Sequence, residues 1–441
     1  MDSDTKRLRR VAAELDAPAA ANGLLHRRAF LRGGIAFTGF AAAAVTAHDA
    51  AAQAAAATGE KLSARTLMTQ AVMGGPFTAY GQPARYERDA VREFTVNQLT
   101  PGTGSSRTPH HVLEGMITPS GLHFQRNHNG VPDIEPNQHQ LLIHGLVKRP
   151  LTFTLDSLSR YPMESHIRFV ECAGNNGGYN APEPRQADVQ AMHGLLSSSE
   201  WTGVRLAVLL DEAGVDPKGK WILAEGGDGA SMSRSVPIEK CMDDAVVALY
   251  QNGERIRPEQ GYPMRLLLPG FEGNMNVKWL HRIQVTPTPT FTKDETSKYT
   301  ELMPNGKARQ FMFQQPVNSF ITKPSYQMNL QGPGYYEISG LAWSGAGKIA
   351  KVEISADEGK SWAQAALVDP VLPMAVTRFR LPWKWSGQPL TLVSRATDEK
   401  KNVQPTRSQW LKLYAPNQGY KFNGITAWAA DGTGQIRHVY I

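Results

Sequence analysis

A single cysteine stands where a short apolar run gives way to a loop of small and amide residues, Phe169-Val170-Glu171-Cys172-Ala173-Gly174-Asn175. A thiolate presented in this way can serve as a soft metal ligand or as a nucleophile. Taken alone, a cysteine is more often a small buried hydrophobe. Upstream, His123-Phe124-Gln125-Arg126-Asn127-His128 offers a guanidinium and imidazoles able to meet an oxyanion, with a solvated polar loop as the plain alternative. A third segment, Trp201-Thr202-Gly203-Val204-Arg205-Leu206, sets an arginine at the start of an expected helix, where a surface arginine is the ordinary reading. Cys241 follows Glu239-Lys240 with no glycine loop or basic cluster, and reads as a structural thiol.

The elements that must position these residues are short. Gln140 to Leu146 and His166 to Glu171 read as strands and Leu206 to Ala213 as a helix, an α+β pattern. Pro287, Pro289 and the polar stretch through Lys298 then suggest a link. Beyond it, Tyr336 to Trp343, Ala350 to Ala356, Thr377 to Leu381 and Leu390 to Thr397 are strand-like, with a hairpin turn at Asp357-Glu358-Gly359-Lys360. A small antiparallel sandwich is expected there, its core or interface filled by Trp343, Trp362, Trp383 and Trp385.

At 441 residues the chain should hold about two domains. With 41% apolar and 20% charged residues a sizeable core is affordable and disorder is disfavoured, while 40 Gly and 29 Pro imply many loops and short strands. The net charge of +7 is spread without a long basic run, so nucleic acid is not expected as a partner, whereas local attraction of a small anion remains open. Two cysteines exclude a disulfide-rich scaffold and a zinc site of paired thiolates, leaving one disulfide possible. No Cys-x-x-Cys-His occurs, so a c-type haem cannot be attached in the usual way and any electrons must pass to another chain.

His26-Arg27-Arg28-Ala29-Phe30-Leu31-Arg32 precedes a Gly- and Ala-rich apolar stretch from Gly33 to Val45 and then Ala52-Gln53-Ala54. This order resembles a twin-arginine signal peptide, and the apolar run is too short to span a membrane. That export route carries folded proteins, which implies a cofactor inserted beforehand in the cytoplasm. Residues 1–57 are therefore expected to be the leader and its cleavage region, with the mature protein periplasmic and not an integral membrane protein.

Together the motifs resemble, in order, the sulfite oxidase family of molybdopterin enzymes. The likeness runs through Arg126-Asn127-His128, Cys172-Ala173-Gly174-Asn175, Trp201 to Leu206, Gly261-Tyr262-Pro263 and Asn276-Val277-Lys278-Trp279-Leu280. It continues through Gly340-Leu341-Ala342-Trp343-Ser344-Gly345, Asp357 to Trp362 and Asn402-Val403-Gln404-Pro405. The resemblance implies a molybdopterin-binding catalytic domain over 58–290 and an immunoglobulin-like dimerisation domain over 300–441. It implies molybdenum bound through one molybdopterin and the Cys172 thiolate, with Asn127 and His128 by the cofactor and Arg205 and Lys278 reaching its phosphate. Arg126, Arg234 and Lys348 are then expected to hold the developing oxyanion.

Three positions depart from the family pattern. Met232 stands where a tyrosine is usual, Lys348 where an arginine is common, and Asn176 where the cysteine motif often continues into arginine. With the leader and the lack of haem, these departures resemble the sulfane dehydrogenase branch of the family. The expectation is oxidation of carrier-bound sulfane sulfur with oxygen from water, a c-type cytochrome subunit taking the electrons in a heteromeric complex. Free sulfite is the alternative substrate. Rival readings are a cysteine hydrolase with His128, His166 or His193 as base, and a secreted binding protein.

Overall fold

The computed structural model describes residues 18–26, 79–100, 102–414 and 421–441. The Arg27-Arg28 pair, the apolar stretch after it and Ala52 to Ala54 lie outside the described residues. Among the described residues helices are few and short, and no helix is long and apolar enough to cross a membrane.

Beside a three-stranded sheet of Glu93–Val96, Gly104–Arg107 and Gln125–Asn127, two five-stranded sheets build most of the first half. One runs in the order Ser233–Pro237, Trp221–Gly226, Leu280–Thr286, Gln140–Gly145 and Leu151–Thr154, with only Leu280–Thr286 and Gln140–Gly145 parallel. The other pairs Met163–Glu171 with Leu196–Arg205 from Met163↔Val204 to Glu171↔Leu196, and continues through Val246–Gln251. Helix Leu206–Ala213 buries Leu206, Leu209, Leu210 and Ala213, a spacing of three and four that lays one apolar stripe on the core. Gly214, at φ 71°, ends it in the left-handed conformation that glycine tolerates best. Cys241 is fully buried in this same core, and neither cysteine forms a disulfide.

The second half is two antiparallel sheets over one core. Asn318–Lys323, Gly334–Trp343 and Thr377–Trp385 are neighbours in one sheet; Ile349–Ser355, Leu390–Asp398, Ala427–Ala430 and Ile436–Val439 in the other. Trp343, Trp383 and Trp385 are buried in that core, as their apolar area demands, while Trp362 is half-buried under the Arg395 guanidinium.

The stretch read as a link is packed against the first half. Thr292 and Glu295 form a capping box on helix Lys293–Ser297, and the buried Glu295 carboxylate accepts hydrogen bonds from Ser235. The halves also meet directly. Phe169, Val189 and Leu196 join the core of the second half, and Phe169 donates its backbone N–H to Met374 O at 3.0 Å.

Candidate functional site

Cys172 sits at the end of strand Met163–Glu171, where its backbone N–H still pairs with Leu195 O at 2.9 Å. After it the chain turns sharply: Asn175 N–H returns to Cys172 O, and Asn176 adopts φ 63°. Side chains lock this loop. The buried Glu171 carboxylate accepts from Asn175 Nδ2 at 2.9 Å and from Trp343 Nε1 of the second half at 2.8 Å. Burial pushes the Glu171 carboxyl up to about 7. Gln315 donates to Glu171 O at 3.0 Å, and Lys421 N–H to Ala173 O at 2.7 Å. The second half thus braces the loop that presents the thiol. From the other side, a Cβ on Gly273 would lie 2.7 Å from Glu171 O and 3.2 Å from Cys172 N, so only glycine fits there.

The half-buried Cys172 side chain opens on a cleft of about 670 Å³, part of it open to solvent. Strand Gln125–Asn127 and its flanks bring Arg126, Asn127 and His128 to the wall, and Lys278 enters from just before strand Leu280–Thr286. Lys278 Nζ donates to Arg126 O at 3.2 Å, to Glu259 O at 3.0 Å and to Asn127 Oδ1. Its immediate acceptors are neutral, and burial first, then the Arg265 charge, pull its pKa down to about 7. Arg265, also on the wall, donates to Gln260 O and Asn276 O at 3.0 Å each, and burial lowers it to about 9. Two buried cations held largely by carbonyl dipoles favour an anion in the space they border.

The imidazoles here are neutral at pH 7. Burial brings His123 to about 3 and His128 to about 4, the latter helped by Arg126. His123 Nδ1 is 2.9 Å from Phe124 O, whereas its Nε2 has no partner among the described residues. A buried, unpaired nitrogen on a cavity wall is what a bound polar group would satisfy. His128 Nε2 is 2.9 Å from the hydroxyl of Tyr299, which also lines the cavity. The Thr292 helix carries Tyr299 there. Arg234 is fully buried beneath this wall, with its guanidinium over the Tyr299 ring at 5.1 Å, 3.7 Å from Glu295 and bonded to Asn274 Oδ1. Met232 lines the cavity, placing a thioether where the family resemblance led us to look for a tyrosine.

Three expected residues do not line this cavity: Arg234 stays fully buried beneath its wall beside Glu295, and Arg205 and Lys348 point elsewhere. Arg205 closes a strand whose side chains alternate; Val204 points into the core and Arg205 outward, where it bonds Met242 O and Asp243 O at the end of helix Ile238–Asp243. Lys348 is exposed in the turn before Ile349–Ser355, tied through its backbone to Glu399. Asn176 also faces away, donating to Phe422 O at 3.0 Å. His166 pairs with Glu164, and His193 is stacked behind Phe320, so neither lines the cavity as a base for Cys172. Arg265 and Tyr299 were not singled out from sequence, whereas His123 was among the imidazoles noted there. Arg265 lies two residues beyond Gly261-Tyr262-Pro263, which was the only available signal.

The model named "Oxidoreductase molybdopterin binding domain" matches residues 128–293, and "Mo-co oxidoreductase dimerisation domain" matches 309–420. The tomato NADH nitrate reductase is 33% identical over 349 residues, which span 69% of this chain and 37% of that protein. Mouse mitochondrial sulfite oxidase is 28% identical, spanning 73% of this chain and 63% of that protein. The chain thus covers little more than a third of the nitrate reductase. Among solved structures, the sulfane dehydrogenase SoxCD of Paracoccus pantotrophus is 42% identical with a TM-score of 0.81, covering 84% of this chain and 96% of that one. Because the molybdopterin-binding model runs through the cavity walls and this relative is matched over almost its whole length, the chain belongs to the sulfite oxidase family of molybdopterin oxidoreductases.

Proposed function

We propose that this enzyme oxidises sulfane sulfur presented on a carrier protein, adding oxygen from water and passing electrons to a c-type cytochrome. The observation that carries the reading is the 42% identity and matching fold shared with a sulfane dehydrogenase. The thioether of Met232 on the cavity wall supports it, since a hydroxyl lost there is a donor lost to a small oxyanion such as sulfite.

The residues present fit a molybdenum-molybdopterin cofactor. Cys172 would hold the metal through sulfur, and Asn127, His128, Lys278 and Arg265 would border the pterin, whose phosphate answers the uncompensated cations. When bound, the cofactor supplies the oxygen transfer and the two-electron change. The chain supplies position and charge. Arg126, at the wall, would stabilise negative charge as it develops on the substrate oxygens, while Arg234 is held beneath it against the Tyr299 ring and Glu295. His123 and His128, neutral at working pH, offer hydrogen bonds without adding charge. Leaving Arg205 and Lys348 out of the site follows from where their side chains lie.

The second half is read as an immunoglobulin-like dimerisation domain. The leader places the mature protein in the periplasm, where a cytochrome subunit and the carrier would meet it. Turnover with reduction of cytochrome c, compared on carrier-bound sulfane and on free sulfite, tests the substrate. Efficient turnover of sulfite with none on the carrier would replace sulfane by sulfite as the natural substrate.

A further inference from the structure

The second domain holds a piece of chain from the far end of the sequence. Pro18–Ala20 and Leu24–Leu25 form a small antiparallel hairpin in which Ala20 faces Leu24 and Pro18 faces Leu25. Asn22 and Gly23, at φ 55° and 82°, make the tip, the Asn-Gly chemistry that a tight turn of this hand requires. Leu24 pairs with Trp383 in the sheet, and Leu24 and Leu25 are both fully buried, Leu24 within the main core. The tip bridges both sheets: Trp383 Nε1 donates to Asn22 O at 2.9 Å, Asn22 Nδ2 donates to Ala356 O, and Ala21 N donates to Ser361 Oγ at 3.0 Å. Gly23 lies so close to the strand that a Cβ there would fall 1.9 Å from Lys384 O.

The receptor for this hairpin comes from segments more than 330 positions away in sequence, Ala356 and Ser361 beside one sheet and Trp383 and Lys384 in the other. It exists only once the second domain has folded. One residue, His26, separates the hairpin from the Arg27-Arg28 pair. We propose that residues 18–25 are an intramolecular docking hairpin of the precursor, which ties the twin-arginine leader to the finished second domain, restrains its use, and vacates the sheet edge at Trp383 when the leader is removed. This rests on the export reading above.

Changes within the hairpin leave the processed enzyme's sequence untouched, so Gly23→Ala and Leu24→Asp can be compared with the native precursor without altering the mature fold. Hydrogen exchange on the purified full-length chain should show protected Leu24 and Leu25 amides in the native precursor and free exchange in both variants. In cells, both variants should be processed faster than the native chain. A synthetic peptide of residues 16–28, added to the processed protein, should bind and shift tryptophan emission, and the peptide with Gly23→Ala should bind about tenfold or more weakly, given the left-handed backbone and the clash. Unprotected Leu24 and Leu25 amides in a chain that is nonetheless exported and shortened would overturn the docking alone. An active protein whose mass retains residue 18 would overturn the export reading and the restraint together. Processing of the variants at or below the native rate would also overturn the restraint.

Discussion

An ammonium group surrounded by carbonyl oxygens is satisfied in hydrogen bonds and still short of countercharge, which is the state of Lys278. An anionic cofactor supplies that charge, so Lys278→Met should lose most of the bound molybdenum and pterin, read by elemental analysis and by pterin fluorescence after denaturation. Cofactor retained at native stoichiometry would remove Lys278 from the binding role. Arg126 differs, because among the described residues its guanidinium bonds only Gly104 O and Asn127 O of its own neighbourhood. Arg126→Gln should therefore cut turnover by about a hundredfold, the order seen when a charge-stabilising donor is removed, while the melting temperature moves little. Unchanged turnover would take it out of the site. Arg126, Asn127, His128, Cys172 and Lys278 were legible because each lies in a contiguous motif whose neighbours fix its meaning. Tyr299 was not, since it meets His128 across 171 positions of sequence and no local pattern marks it.

Elements decide which of the legible residues can act. The helix after Arg205 was read correctly from periodicity, but the strand Leu196–Arg205 before it was not singled out, and its pleat turns Val204 into the core and residue 205 to solvent. The α+β pattern and four strands of the second half were likewise readable, whereas the packed path from Pro287 to Tyr299 was not, because prolines and polar residues mark a break in periodicity without saying what the break leans on. The Cys172 loop shows the same dependence on contact. It is held by Trp343 and Gln315 from the second half and by the close approach of Gly273. Gly273→Ala should push directly on the Glu171–Cys172 peptide, so molybdenum content and turnover should fall much further than global stability. A variant with native metal content and a parallel loss of stability would show that the loop can give way. Trp343→Phe, which leaves Glu171 Oε2 without its donor, should cost about 1–3 kcal/mol in chemical denaturation, the usual penalty for orphaning a buried acceptor.

At the scale of the whole molecule, the joint between the halves carries titratable groups that must remain neutral. His110 and His193, from the first half, lie on Phe320 of the second, His193 stacked at 3.9 Å and His110 edge-on at 5.6 Å. His110 Nε2 donates to Leu196 O at 3.0 Å, and His193 Nε2 is 2.7 Å from the Tyr179 hydroxyl. Burial lowers both, His110 to about 3, with Arg378 and His111 adding to the effect on it and His110 and His438 adding to that on His193. The unfolded chain titrates near 6.5, so above that pH neither state gains a proton and stability is fully present. As pH falls below 6.5 the unfolded state takes up protons that the folded joint refuses, and stability drops until the folded pKa is reached. At pH 5 His110 alone should cost about 2 kcal/mol, and His193 adds to the loss in the same direction. His110→Gln keeps a donor for Leu196 O while removing one titration. Between pH 7.5 and 5 its denaturation midpoint should consequently fall less than that of the native protein, by an amount equivalent to about 2 kcal/mol. Parallel falls in the two proteins would mean that His110 is already accessible to protons in the folded state and that the joint is looser than its stacked rings imply.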